Sequence, residues 1–247
     1  MTGIVIPDGG TIGSASDTDA ISIASDGKAT LSQKPTFSQG IENTGTIDAG
    51  TLGSSVVVPA SIGGSMHLIQ KQTASGDSTI EFTNLSNHSA FTNLLFIFNN
   101  VFPTQDNVTF RSRVAITGTS YQSSYYNLIS SYVERDISSG ASGGPGIAVN
   151  SNSMFMAFGN CGADTVNDTG ISGQATVYHH QHSSHYKRVV FDVGYVTNST
   201  KTVRVCGTGT YAVTQNASSG PLTAIKFEYS SNTIASGSIT MYGIKDA

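Results

Sequence analysis

From residue 66 onward, apolar and polar residues alternate along short segments that are separated by turn residues. In one such segment, Ile80 and Phe82 alternate with Thr79 and Glu81. A period of two is that of a β-strand that packs one face on a core and exposes the other. Ten segments of this kind follow one another, at residues 66–72, 78–83, 93–101, 108–116, 153–158, 174–179, 186–195, 202–206, 223–229 and 237–245. Ten short strands joined by turns are typical of a β-sandwich or barrel.

Three segments depart from this alternation. Residues 94–98 are apolar in succession, which predicts a central strand covered on both faces by a second sheet or a partner subunit. Within residues 120–136 apolar side chains recur at helical spacing, so a helix is an alternative there. The many Tyr and Ser residues and the few helix formers of this segment favour a strand. The Gly and Ser residues of 138–146 predict a mobile loop.

The first 64 residues differ from the rest of the chain. They contain one aromatic residue, Phe37, and short apolar pieces separated by Gly, Ser, Thr and Asp. Such a segment cannot bury enough apolar area by itself to offset the entropy of ordering it, so we expect neighbouring chains or a larger scaffold to order it. The sequence therefore predicts an all-β protein: an extended N-terminal β stalk or anchor, residues 1–64, and a jelly-roll-like antiparallel β-sandwich, residues 65–247.

Composition excludes several classes of partner. Charged residues make up 11% of the 247 residues, against roughly 25% in ordinary soluble domains. With 12 Lys and Arg against 16 Asp and Glu and a net charge of -4, the chain offers little to attract nucleic acid. The sequence has neither an apolar stretch long enough for a membrane helix nor a signal-peptide pattern at its start. We therefore expect no nucleic-acid partner, no membrane insertion and synthesis in the cytosol.

A group of histidines is a candidate for metal binding, whereas the two cysteines are not. Cys161 and Cys206 are too few for a disulfide framework and are expected to be small buried side chains. Four of the six histidines lie within residues 179–185. If this segment is a strand, His180 and His182 point the same way and are candidate ligands for Zn or Ni. A polar loop with surface or hydrogen-bonded histidines is the favoured alternative, and no cofactor is expected.

The sequence predicts binding in preference to catalysis. Glycoside hydrolysis needs two nearby carboxylates, but Glu81 and Glu228 alternate with apolar residues and are expected on a solvated strand face. No nucleophile elbow is present, so we expect the protein not to be an enzyme. Tyr121, Tyr125 and Tyr126 lie among Ser, Asn and Gln and are candidate receptor-binding residues, because tyrosine supplies contact area at low entropic cost. A role in the core or in a subunit interface is the favoured alternative for these tyrosines.

Three segments carry a resemblance to structural proteins of tailed bacteriophages. Residues 21–41, ISIASDGKATLSQKPTFSQGI, resemble N-terminal stretches of fibre and other virion proteins. Residues 66–82 and 236–245 are similar to the start and end of a β-sandwich module in such proteins. The resemblance implies a homotrimeric virion component, with residues 1–64 attached to other virion proteins and the sandwich displayed as an outward knob.

Three functions are compatible with this resemblance. The first is a tail fibre whose knob contacts a host-surface glycan or protein. The second is a capsid-decorating or head-fibre protein, whose knob need not bind anything. The third is a polysaccharide-degrading tailspike, which requires a groove with catalytic carboxylates.

Overall fold

A computed structural model describes residues 11–14, 17–26, 28–31, 66–136, 140–157, 161–163, 170–197, 199, 201–212 and 220–245. These residues form β-strands and one short 3₁₀ helix, Leu85–His88, and no α-helix. The predicted all-β sandwich is confirmed. The chain divides into two compact units, Met1–Val56 and Val57–Ala247. The predicted boundary after residue 64 lies outside the described residues, and the jelly-roll connectivity and the extended stalk stay predictions.

The first unit contains a three-stranded antiparallel sheet. Its strands, in spatial order, are β1 (Thr11–Ser14), β2 (Asp17–Ile23) and β3 (Ala29–Leu31). In the β2–β3 turn, the backbone N–H of Ala24 donates to the carbonyl of Lys28 at 2.8 Å. Ile12 and Leu31 are exposed on this sheet, which is expected for a piece too small to form its own core.

The described residues of the second unit form two antiparallel sheets. Its strands are β4 (Met66–Thr73), β5 (Ile80–Thr83), β6 (Asn93–Pro103), β7 (Phe110–Ala115), β8 (Tyr126–Asp136), β9 (Gly140–Ser151), β10 (Met154–Phe155), β11 (Ile171–Tyr178), β12 (Lys187–Val196), β13 (Thr202–Tyr211), β14 (Ala224–Tyr229) and β15 (Ile234–Ile244). The large sheet has the order β4-β15-β6-β11-β12-β13-β8-β9, and the small sheet has the order β10-β7-β14-β5. Because side chains alternate between the two faces of each strand, pairing these strands gives each sheet an apolar face.

The core lies between these two sheets and is centred on aromatic side chains. Phe96 and Phe98 of β6 contact Phe227 of β14, with ring centroids 5.2 and 5.1 Å apart. Phe82 and Phe110 complete the cluster, and all five rings are buried. These contacts join the sheets because every second residue of β6 and β14 points inward.

The segments that break the alternation give mixed outcomes. The apolar segment 94–98 lies in β6, which has a neighbouring strand on each side in the large sheet. The small sheet covers its inner face, so the predicted cover is confirmed for that face. On the outer face, Leu95 and Ile97 are only half-buried. β8 confirms the strand favoured for residues 120–136. The mobile loop predicted at 138–146 is wrong for residues 140–146, which lie in β9 and pair with β8; residues 137–139 lie outside the described residues.

A second strand is the reason that a Gly-rich sequence is ordered here. β9 lies so close to β8 that a Cβ at Gly143 would meet the carbonyl oxygen of Tyr132 at 2.4 Å. Because glycine has no side chain, β9 can approach β8 this closely. The intrinsic preference of Gly and Ser, taken alone, favours a loop.

The cysteines also give mixed outcomes. Cys161 is buried as predicted, and burial raises the pKa of its thiol to about 12. The prediction is wrong for Cys206, which is exposed because it points away from the core on β13.

Among the described residues, no helix is long and apolar enough to cross a membrane.

Candidate binding surface

The three tyrosines proposed for receptor contact lie in the interior or at its margin. Tyr126 is fully buried, its ring is 5.2 Å from that of Tyr211, and its hydroxyl accepts a hydrogen bond from the N–H of Val114 at 2.9 Å. Its candidacy as a receptor-binding residue is therefore wrong, because a buried ring cannot contact a partner. Tyr125 is half-buried and packs against the core.

Tyr121 is half-buried over the outer face of the small sheet. The Lys226 ammonium lies 4.8 Å from the centroid of its ring, which is a cation–π contact. Burial, followed by the charge of Glu81, raises the pKa of Tyr121. Tyr121 thus covers a sheet face of its own molecule, which is the core-type role that the sequence favoured as the alternative.

The histidine segment is a turn and not a strand. β11 ends at Tyr178, and His179 has a φ of 59°, which turns the chain. His180 is buried, with its Nε2 atom 3.4 Å from the carbonyl oxygen of His88, and burial lowers its pKa. His182 is on the surface, and its ring stacks on His185 at 3.4 Å. The premise that His180 and His182 share a strand face is therefore wrong.

The same turn is held by a buried lysine. The Lys187 ammonium donates hydrogen bonds to the carbonyls of His179, at 3.1 Å, and of His182. Burial lowers the pKa of Lys187 to about 8. Within the described ranges, no three His, Cys, Asp or Glu side chains are grouped so that they could hold a metal ion.

Glu228 lies in a cluster of cations on the outer face of the small sheet. Its carboxylate is 2.9 Å from Arg111 Nε, 3.3 Å from Arg113 Nε and 2.8 Å from Lys226 Nζ. The Glu228 side chain is 9% exposed, so the predicted solvated face is wrong at this residue. A carboxylate enclosed by three cations is a structural group and is poorly placed to exchange protons with a substrate.

The outer face of the large sheet is, by contrast, open. One residue from each of its eight strands forms a continuous line that contains no charged side chain. We call this line the uncharged row, and its members, in register across the sheet, are Leu68, Tyr242, Leu95, Thr176, Val190, Thr208, Ile129 and Ile147. With strands about 4.8 Å apart, the row spans about 34 Å. Leu68 is 64% exposed, Ile129 59% and Ile147 70%.

A groove lies beside this row, towards the β12–β13 turn. Its larger part has a volume of about 710 Å³ and is lined by side chains and backbone of β6, β11, β12 and β13. Its smaller part, of about 550 Å³, continues to β8 and shares Thr202 and Arg204 with the larger part. We call the two parts together the polar groove, because Ser172, Gln174, Asp192, Thr202 and Arg204 line it.

Glycines and an ion pair shape the polar groove. Gly194 of β12 points to the outer face, and a Cβ placed there would meet no atom closer than the carbonyl oxygen of Val203 at 3.6 Å. A register shift between Ile171 and Gly173 bends β11 next to it. Across the floor, Arg204 Nε donates to Asp192 Oδ1 at 2.9 Å, and a second guanidinium nitrogen bonds the other carboxylate oxygen. The pair lowers the pKa of Asp192.

Sequence reasoning missed these groove residues because they come together only through strand register. Asp192 and Arg204 are on different strands, and Arg135 and Asp136 of the smaller part are on a third. One local signal exists: Gly194 interrupts the otherwise regular strand pattern of residues 187–196, and an isolated glycine in a strand often marks a close approach or a depression.

No protein-family model matches the chain, and no curated protein matches it.

Proposed function

We propose that this chain is a non-catalytic structural protein of a tailed-bacteriophage virion, a homotrimeric tail fibre whose C-terminal sandwich contacts the host surface. The resemblance of residues 21–41, 66–82 and 236–245 to virion proteins suggests this class. The all-β fold and the low charge are compatible with it. The structural observation that carries the proposal is the uncharged row.

The uncharged row favours contact with further copies of the chain. Four of its members, Leu68, Val190, Ile129 and Ile147, are apolar and between 41% and 70% exposed. Burying apolar surface gains about 25 cal/mol per Å², and a continuous apolar patch on a soluble protein marks an interaction site. Identical copies arranged around a threefold axis would each cover part of a neighbour's row.

The absence of charge along the row also favours a permanent contact. A transient partner is usually met by a polar, partly charged surface, whereas obligate subunit interfaces resemble a domain core. Thr176 and Thr208 interrupt the aliphatic members without adding charge. The row is thus suited to lasting assembly of copies.

The outer face of the small sheet supports a non-catalytic role. Glu228 is enclosed by Arg111, Arg113 and Lys226, so this strand carboxylate cannot act as the exposed acid or base that a polysaccharide-degrading tailspike needs. A direct test is to incubate the purified chain with host-surface polysaccharide. We expect no release of oligosaccharide products, and product release would favour the tailspike instead.

The decisive test is the number of copies of the chain in purified particles, measured by quantitative mass spectrometry against capsid and tail proteins. A tail fibre predicts a small multiple of three copies for each particle. A copy number that scales with the capsid lattice would instead identify a capsid-decorating or head-fibre protein. Absence of the chain from particles would contradict both.

A truncated chain tests whether residues 1–64 attach the protein to the particle while residues 65–247 fold independently. We expect residues 65–247 to fold as a β-sandwich that no longer joins particles, because the predicted anchor, residues 1–64, is missing. The measurements are circular dichroism of the fragment and its co-sedimentation with particles. An unfolded fragment would contradict the boundary, and a folded fragment that still joins particles would contradict the anchor.

A further inference from the structure

The polar groove has the size and position of a ligand site. Its two parts, of about 710 and 550 Å³, each have a volume within the range of roughly 300–1,000 Å³ that is usual for small-ligand sites. Both parts are shallow and open to solvent, so an occupant stays partly exposed. It crosses β6, β11, β12, β13 and β8, which at about 4.8 Å per strand gives a length of about 19 Å. Gln174 and Asp192 in the groove are each two residues, or about 7 Å, from Thr176 and Val190 of the uncharged row. The groove therefore suits an elongated occupant that lies alongside the row.

The position of the groove within the sheet restricts how an occupant is bound. β12 pairs with β11 on one side and with β13 on the other along the groove. The backbone N–H and C=O groups there bond within the sheet, so side chains must supply the hydrogen bonds to the occupant. An extended peptide binds most strongly at an open strand edge, where it gains backbone hydrogen bonds, and the interior of the sheet offers none.

The ion pair in the floor offers donors and acceptors side by side. The Arg204 side chain is 71% exposed and that of Asp192 is 41% exposed. Their bidentate contact uses two of the five guanidinium N–H groups and one lone pair on each carboxylate oxygen. The remaining donors and acceptors match neighbouring hydroxyl groups, since each hydroxyl both donates and accepts. Gln174 and Thr202 extend the same chemistry along the groove. The Ser172 hydroxyl, in contrast, already donates to Asn100 Oδ1 and accepts from the Asn100 N–H.

Charge and apolar contacts narrow the class of ligand further. The charged side chains in the lining are two cations, Arg204 and Arg135, and two anions, Asp192 and Asp136, so the formal charges cancel. A neutral lining does not attract a polyanion such as nucleic acid or a sulfated chain. Most of the lining surface is apolar, with Ile97 and Val133 among the contributing side chains, and it provides contacts for C–H groups. The groove therefore suits a ligand that is rich in hydroxyl groups, elongated and uncharged, and a neutral oligosaccharide has these properties.

We propose that the polar groove, with Asp192, Arg204 and Gln174 as its hydrogen-bonding residues, binds a neutral oligosaccharide chain. This inference rests on the proposed function, because a displayed sandwich that contacts a host surface needs a site for a surface ligand. It adds the site and the ligand class. The β12–β13 turn next to the groove is at the opposite end of the large sheet from Met66, where the chain enters the sandwich.

The test is a binding measurement on the full chain with a panel of linear neutral oligosaccharides built from hexoses and N-acetylhexosamines. Saturation-transfer NMR finds the ligands, and titration calorimetry gives their affinity. The panel includes sulfated oligosaccharides and extended peptides as separate arms. We expect at least one neutral oligosaccharide to bind. Binding by sulfated chains alone, by peptides alone, or by nothing in the panel would overturn the inference.

Substitutions test whether the ligand binds in the groove. Gly194→Val fills the depression, and we expect it to weaken binding about tenfold or more, because the ligand would lose its contact with the floor. The added side chain meets no close backbone atom, and valine favours strands, so the variant should fold. Ser131→Val, on the same sheet face but outside the groove lining, is the matched control and should bind normally. Equal binding by Gly194→Val and the original chain would overturn the groove as the site.

A second variant tests the chemistry of the site. Asp192→Ala removes the carboxylate without filling the groove, and we expect it to weaken binding about tenfold, because Arg204 and ligand hydroxyls lose a shared acceptor. Unchanged affinity would overturn the role of the ion pair. Measuring trimer formation distinguishes failure of the groove inference from failure of the proposed function. If Gly194→Val and the original chain both form trimers while neither binds an oligosaccharide, the groove inference alone fails.

Discussion

The outer faces of the two sheets follow the same alternating pattern but differ in exposure, because the face of the small sheet is covered and that of the large sheet is open. On the small sheet, the polar residues of β14 meet Arg111 and Arg113 of β7 and are covered by Tyr121, so Glu228 is enclosed. On the large sheet, the corresponding residues form the uncharged row and the polar groove and are open. Alternation therefore identifies which residues leave the core, but it does not tell whether the other face meets water, a loop or a partner.

Removing the enclosed carboxylate gives the largest expected effect. Glu228→Ala leaves three largely buried cations without their shared anion, and we expect it to lower the free energy of unfolding by about 3–5 kcal/mol. Asp192→Ala is the matched control, because it breaks an exposed ion pair on the open face and should leave stability almost unchanged. Urea unfolding at one fixed protein concentration measures both. Equal losses in the two variants would contradict the distinction between the faces.

The next largest expected effect is the dependence of stability on pH that Lys187 causes. Its folded-state pKa, about 8, lies below its ordinary value of 10.5, so the folded state favours the neutral amine. Between these values the unfolded chain binds more protons, and stability must rise with pH. At 1.36 kcal/mol for each pKa unit, we expect a gain on the order of 3 kcal/mol from pH 8 to 10.5. Lys187→Met should lack this gain, and identical pH profiles of the two proteins would refute the assignment.

A smaller effect is expected at Tyr126, the first residue of β8, which bonds Val114 of β7 and Gln122 beside Tyr121. Tyr126→Phe removes a buried hydroxyl that accepts from Val114 and donates to the carbonyl of Gln122. We expect a loss of about 1–2 kcal/mol, since the N–H of Val114 is left without this acceptor. Tyr242→Phe, on the half-buried outer face of β15, is the comparison and should cost less. Thermal unfolding followed by circular dichroism measures both, and a larger loss for Tyr242→Phe would argue against the buried role of Tyr126.

The fold could be predicted from the sequence wherever the signal is local. Ile80 and Phe82, or Ile225 and Phe227, alternate with polar residues, and each pair lies in a strand with its apolar side chains buried. The error at residues 140–146 has a non-local cause. Gly and Ser favour a loop by propensity, but the neighbouring strand β8 supplies a full ladder of backbone hydrogen bonds that outweighs this preference.

The candidate site could not be predicted, because its residues are distant in sequence. Leu68 and Ile147 belong to the same row only because six strands lie between them in the sheet. Asp192 and Arg204 pair across β12 and β13, and their meeting depends on the register that the connecting turn imposes. The composition around the tyrosines suggests binding, but composition does not distinguish a buried ring such as Tyr126 from an exposed one.

The central claim is that copies of the chain cover the uncharged row, and sedimentation equilibrium of the purified full chain tests it most directly. We predict a mass three times that of one chain, and a shift to one chain in the Ile129→Glu/Val190→Glu double variant, because charge is introduced into the contact. Thr73→Glu, at an exposed position of β4 outside the row, should remain a trimer. A single-chain mass for the original protein, or a trimer in the double variant, would contradict the account.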